Sequence, residues 1–159
     1  MNKKSDASSS EEEEPENLSY KIIIIGDEAV GKTQIVNRYC DDHFSKNYKK
    51  TIGVDFFQKR IELTKEINVS LQIWDVDGEA MNSKMLDTYV HDANAIVYVY
   101  DITNHDTFDS VDKWMDNVVE VLTKEQKDQP IQVLLGNKSD LNHLAAISLD
   151  KHDNYAKQN

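Results

Sequence analysis

The stretch GDEAVGKT, Gly26 to Thr33, has the spacing G-x-x-x-x-G-K-[ST] and follows directly on the apolar run Ile22 to Ile25. Residues of these types at this spacing hold phosphate. Gly26 and Gly31 let the backbone turn tightly, so that the N–H groups of the loop, those of Asp27, Glu28, Ala29 and Val30 included, wrap an anion. The loop opens onto a helix N-terminus, whose dipole also favours negative charge. Lys32 is placed to reach β- and γ-phosphates, and the Thr33 hydroxyl to ligate Mg²⁺. Glu28 is the residue that does not fit, because a carboxylate stands in the middle of an anion cradle. The loop therefore poses a choice between binding a nucleotide and binding and cutting it.

Three further motifs follow in chain order. YKKTIGVDFF, Tyr48 to Phe57, supplies Thr51 in a loop before a strand. WDVDG, Trp74 to Gly78, puts Asp75 at a strand end, where it can hold Mg²⁺ through water, and then Gly78 with a free N–H. NKSD, Asn137 to Asp140, lies at the carboxyl edge of the last clear strand, where α/β sheets bind ligands. A carboxylate there accepts both the ring N–H and the amino group of guanine. Adenine offers no such donor pair, so Asp140 selects guanine.

The elements that must position these motifs are legible as alternating patterns. KIIIIG and AIVYVY, Ala95 to Tyr100, are continuous apolar runs, as expected of strands buried on both faces. IQVLLG, Ile131 to Gly136, is the last clear strand. RIEL and VSLQIW alternate with period two and are joined by the short link KEIN, which predicts an antiparallel hairpin. Residues 32–40 predict a helix carrying Ile35, Val36, Tyr39 and Cys40. A longer helix places Phe108, Val111, Trp114, Met115, Val118, Val119 and Leu122 on one core-facing stripe. Strands alternating with helices mean an α/β fold, a mostly parallel sheet covered on both faces.

Composition bounds the rest. A chain of 159 residues fits one domain, and its net charge of −11 argues against nucleic acid as a partner, which needs a basic face. The first 17 residues hold two lysines against six acids and so carry −4 of that charge. This Ser- and Glu-rich stretch is expected to be a disordered acidic tail, with the folded domain over 18–159. The single cysteine, Cys40, excludes an internal disulfide and suits a reducing compartment. It continues an apolar helix face and is expected to be core rather than nucleophile. No apolar segment in the sequence is long enough to span a bilayer.

Together these motifs resemble the Ras superfamily of small GTPases over roughly residues 20–154. TIGVDF with YDIT, Tyr100 to Thr103, is similar to the Rab family, and TIGVDFFQKR, LQIWD and KMLDTY are most similar to its outlying branch numbered twenty-eight. The resemblance implies the small-GTPase, phosphate-loop fold and a GTP/GDP switch that uses Mg²⁺. Thr51 would join Thr33 and Asp75 at the metal and sense the γ-phosphate, while Gly78 would donate its N–H to that phosphate. Phe44 matches an aromatic that packs edge-on against guanine, and Tyr48 one that covers the phosphates. Asn137 would brace the phosphate loop and touch the base, and Lys138 would lie across the base plane. Effectors, exchange factors and GTPase-activating proteins would read the switch loops, residues 48–57 and 78–89. The family's pattern continues into one more strand, a Ser-Ala-Lys loop and a final helix, then a prenylated cysteine. None of these is present before Asn159, so the chain is expected to be a fragment or a shortened product. It is expected in the cytoplasm, peripheral on membranes only where a longer lipid-anchored form exists.

Three acids depart from the family's pattern. Glu28 stands where a small residue is usual, either repelling the γ-phosphate or turning outward to solvent or a lysine. Asp77 stands where alanine is usual. Glu79 replaces the glutamine that orients the attacking water; ionised glutamate accepts hydrogen bonds and donates none, though it can act as a base. With Lys32 and Gly78, Glu79 forms the expected catalytic set. The leading expectation is a switch of the vesicle-trafficking kind with slow GTP hydrolysis. The alternative is a hydrolysis-deficient pseudo-GTPase acting as a binding module. A phosphate-loop kinase is opposed by NKSD, and a scaffold without nucleotide would need a ruined base pocket.

Overall fold

The computed structural model describes residues 14–82, 84–125 and 129–158. The acidic stretch expected to be a tail lies, through residue 13, outside the described residues. Strand β1 (Glu16–Ile25) already begins at Glu16, two residues before the expected domain boundary.

β1 is the central strand. The sheet also contains β2 (Val54–Glu62), β3 (Ile67–Val76), β4 (Ala95–Asp101) and β5 (Ile131–Asn137), in the order β2-β3-β1-β4-β5. β1 pairs in parallel with β3 and β4, and β4 with β5, while β2 runs antiparallel to β3. The hairpin expected around RIEL and VSLQIW is this β2–β3 pair. The strands extend beyond those runs because Val54 pairs with Val76 and Glu62 with Asn68.

The parallel register has one consequence for function. Ile24 pairs with Asp75, Ile25 with Tyr98 and Asp101 with Asn137. The loops after β1, β3, β4 and β5 therefore leave the sheet at a common carboxyl edge, which gathers motifs spread over more than a hundred residues of sequence.

Alternation along β1 builds the core on both faces. Ile23 and Ile25 are fully buried and point to one side, where they meet Ile96, Tyr98, Tyr100 and Trp114. Ile24 points to the other, against Val30, Val36, Ile73 and Val99. Helix α1 (Lys32–Asp41) covers this second face, and its Cys40 is half-buried against it. Burial pushes the Cys40 thiol up, with the Asp41 charge adding to the effect, so it is a poor nucleophile.

Helices α2 (Met85–Val90) and α3 (His105–Glu125) cover the first face. Phe108, Val111, Trp114, Val118 and Leu122 form the buried stripe of α3, as expected, with Met115 packed at its margin. Val119 is a correction: it is exposed, and Val121 is buried in its stead. One residue past Val118 turns a side chain about 100° around the helix, off the stripe, while three residues past it returns.

The sequence reading did not foresee α2 or the terminal helix α4 (Leu149–Gln158). α4 has few apolar residues and is held through Tyr155, through His152, whose Nδ1 lies 2.9 Å from the Tyr100 hydroxyl, and through Lys151, whose ammonium lies 4.8 Å from the Phe108 ring centroid. The Tyr155 ring lies edge-on to Phe108 at 5.2 Å, and its hydroxyl donates to Asp112 at 2.5 Å.

Candidate functional site

The loop 26–31 takes its shape from three positive φ angles. Gly26 leaves β1 at φ +143°, where an added Cβ would run into the Val99 carbonyl of β4. Ala29 at φ +61° and Gly31 at φ +101° then curl the chain onto α1. No side chain caps this helix. The first-turn N–H groups of a helix lack intrahelical partners, so they and the dipole are available to an anion. Asn137 Nδ2 donates to the Val30 carbonyl at 2.8 Å and braces the loop from β5. Gly26→Ala is expected to destabilise the fold by about 2–3 kcal/mol, lowering Tm by roughly 5–10 °C. An unchanged thermal melt would contradict this account of the loop.

Lys32 is buried, 6% exposed, and its ammonium donates to the carbonyls of Gly26 at 2.7 Å and Asp27 at 2.8 Å. Burial pushes its pKa down, while the charges of Asp75, Asp27, Asp77 and Glu28 pull the other way.

Beside it, three hydroxyl and carboxylate groups from different elements meet. The Thr33 hydroxyl donates to Asp75 Oδ2 at 2.5 Å, and Thr51 Oγ1 lies 3.0 Å from Thr33 Oγ1 and 3.3 Å from the same carboxylate oxygen. The other oxygen, Asp75 Oδ1, is buried without a hydrogen-bond partner. Burial pushes the Asp75 pKa up, against the Thr33 bond and the Lys32 charge. An orphaned carboxylate oxygen costs free energy unless a cation or water meets it. Hard oxygen donors of this kind fit Mg²⁺, which takes one or two protein ligands and shares the rest with phosphate and water.

The three unusual acids are arranged as follows. Gly78 packs so tightly on the phosphate loop that an added Cβ would come within 2.7 Å of the Asp27 carbonyl carbon. Glu28 turns toward residues 48–50: Tyr48 donates to Glu28 Oε1 at 2.9 Å, and Lys50 Nζ stands 3.6 Å from Oε2. Glu28 thus has a lysine partner, as one of its two expected dispositions requires, and it lines the cavity as well. The same Lys50 Nζ lies 2.6 Å from Glu79 Oε1. Asp77 Oδ1 accepts the Glu79 backbone N–H at 3.1 Å.

At the opposite end, Lys138 takes a left-handed backbone, φ +67°. Its ammonium pairs with Asp101 Oδ2 at 2.6 Å. Burial pushes the Asp101 carboxyl up, but the Lys138 and Thr103 hydrogen bonds win and hold it below the usual carboxylate range.

These groups surround one cavity of about 420 Å³. Of the residues expected to hold nucleotide, Glu28, Ala29, Gly31, Lys32, Thr33, Phe44, Tyr48, Thr51, Gly78, Asn137, Lys138 and Asp140 line it. Gly26, Asp27 and Val30 do not. Gly26 sits behind Lys32, the Asp27 carboxylate accepts from Trp114 Nε1 at 3.0 Å, and Val30 is buried in the core. Asp75 is fully buried behind the two threonines, and Glu79 stands outside the lining, tied to Lys50. The sequence reading did not identify Lys50 as the lysine that meets both Glu28 and Glu79, nor the pairing of Asp101 with Lys138 or of Trp114 with Asp27. Only Asp101 carried a signal, through the YDIT wording.

Comparison with known proteins agrees with this geometry. A model described as the Ras family matches residues 21–159. The chain is 38% identical over 148 residues to the Ras-related protein Rab-28 of Caenorhabditis elegans, an alignment covering 93% of this chain and 59% of that protein. It is 40% identical over 140 residues to Ras-related protein Rab-7L1 of Rattus norvegicus, covering 88% and 68%. To Ras-related protein Rab-32B of Dictyostelium discoideum it is 43% identical over 141 residues, covering 88% and 54%. The chain thus spans from about half to two thirds of the length of these relatives. The identities are alike across the three, so the likeness is to the Rab group as a whole. A Ras-family match over most of the sequence, with Rab proteins as its relatives, means that the chain belongs to the Ras family of small GTPases, among its Rab members.

Proposed function

We propose that this chain is a guanine-nucleotide switch that binds GTP and GDP with Mg²⁺ and hydrolyses GTP slowly. The observation that carries this reading is the meeting of three groups at one carboxyl edge. Lys32 sits under the curled loop, Thr33 and Thr51 share Asp75, and Asn137 to Asp140 close the far end. Family membership supports guanine as the base.

In this reading Lys32 offsets phosphate charge and the loop N–H groups orient the phosphates. Asp140 accepts the two guanine donors, with Phe44 and Lys138 flanking the base. Thr33, Thr51 and Asp75 would hold Mg²⁺, which when bound neutralises charge on the phosphate oxygens. Thr51 and the Gly78 N–H belong to the two loops that respond to the γ-phosphate, so its loss frees both and changes the surface that partners read. The exposed Ile52 and Phe56 in residues 48–57 suit an effector contact there. A role in vesicle or membrane traffic follows from the Rab relatives, and no helix among the described residues is long and apolar enough to cross a membrane.

Slow hydrolysis follows from Glu79. An anionic carboxylate cannot donate to the phosphoryl oxygen, and this one is held by the Lys50 ammonium at 2.6 Å, outside the cavity lining. Glu79→Gln is expected to raise the single-turnover rate by about tenfold or more. The same ion pair favours a second reading, a module that holds GTP without cutting it. GTP left intact for hours by the unsubstituted chain but cut by Glu79→Gln would select that reading. A variant no faster than the parent would remove Glu79 as the block.

A further inference from the structure

The charge at one end of the cavity needs an explanation of its own. The sheet order sets the direction of a bound nucleotide: Asp140 follows β5 at one side, whereas Asp77 and Gly78 follow β3, and Lys50 precedes β2, at the other. A base at Asp140 therefore sends its outermost phosphate toward Glu28, Gly78 and Lys50. This is the end at which the chain has added acids. Glu28 and Asp77 line the cavity there, and Glu79 stands just outside it.

Lys50 is the cation that meets two of the three. Its ammonium lies 2.6 Å from Glu79 and 3.6 Å from Glu28, and its side chain also lines the cavity. An ammonium has three N–H donors. Held between two carboxylates, it cancels much of their repulsion and keeps a donor for a phosphoryl oxygen. It also joins three segments that are distant in sequence: residues 48–50, the phosphate loop and the stretch after β3.

We propose that Lys50 is a specificity-determining residue, the built-in counter-charge that lets a triphosphate sit beside Glu28 and Glu79 and so sets the preference for GTP over GDP. This rests on the guanine-nucleotide reading above. A diphosphate ends short of the acids and gains little from Lys50. A triphosphate places its last charges against them and needs it. Because the pair is exposed, the effect is screened by salt.

The test is equilibrium binding of fluorescent GTP and GDP analogues, with Mg²⁺, to the chain and to Lys50→Gln, Glu28→Gln and the Lys50→Gln/Glu28→Gln double variant. Lys50→Gln is expected to weaken GTP by about tenfold or more while GDP changes by less than about threefold. The double variant is expected to recover most of that loss, and the GTP-specific loss to shrink as ionic strength rises. Equal weakening of both nucleotides, no change in either, or no recovery in the double variant would overturn the role of Lys50. Each variant's melting curve shows that it is folded, which an exposed side chain permits. A parent chain that binds neither nucleotide would overturn this inference and the reading beneath it. A parent that binds both, dependent on Lys32, with an unaltered ratio in Lys50→Gln would overturn this inference alone.

Discussion

Lys32→Ala is expected to weaken guanine-nucleotide binding by about a thousandfold. The lysine has two functions that fail together. Its ammonium is buried and holds the Gly26 and Asp27 carbonyls at 2.7 and 2.8 Å, which keeps those negative dipoles occupied and the loop curled. In the proposed switch it is also the positive charge under the phosphates. Hydrogen bonds to a charged group contribute about 1.5–3 kcal/mol each, and losing two leaves buried carbonyls unsatisfied. A loss of about 4 kcal/mol corresponds to that thousandfold change. Titration calorimetry with GTP and GDP measures it, alongside a thermal melt that separates lost affinity from lost fold. An affinity within a few-fold of the parent, in a variant that melts normally, would contradict the assignment of the loop.

Asp140→Asn is expected to remove the preference for guanine, lowering GTP affinity by about a hundredfold or more with ATP little changed. The side chain lines the cavity just past β5, in the turn that Lys138 enters with a left-handed backbone. Only an acceptor pair suits the ring N–H and amino group of guanine. An amide turns one acceptor into a donor, so one hydrogen bond is lost and one donor faces another. Sites built on such pairing discriminate strongly, because a mismatched partner leaves buried polar groups unpaired. Competition between GTP and ATP for the same variant reads the ratio directly. A ratio equal to the parent's would remove Asp140 from the base pocket.

The parts of this site that were legible in the sequence were those set by local rules. The four isoleucines at 22–25, β-branched and ended by a glycine, read as a buried strand, and Gly26, Gly31 and Lys32 at fixed spacing dictate the turn that follows. Thr33 and Asp75 were legible as partners because they stand at a helix start and a strand end on the carboxyl edge of the parallel strands, whereas Thr51 was placed with them by the family resemblance alone. What the sequence hid was pairing between side chains on loops. Glu28 is 22 residues from Lys50, and Glu79 another 29. No periodicity links them, so whether Glu28 faced the phosphate or turned away depended on a contact only the fold makes. Trp114 was read as core and is core, yet its one polar atom reaches the Asp27 carboxylate across the sheet edge. Helix α4 was missed because it docks through Lys151, His152 and Tyr155, mostly polar residues that leave no apolar pattern.

The central claim is that this cavity binds guanine nucleotide and cuts the triphosphate slowly. The most direct test loads the chain with GTP in the presence of Mg²⁺, removes the excess, and follows one turnover by denaturation and chromatography. The account predicts bound GTP at the start and its conversion to GDP over tens of minutes to hours, faster in Glu79→Gln. A chain that retains neither GTP nor GDP after loading, or one whose bound GTP stays intact for many hours, would contradict it.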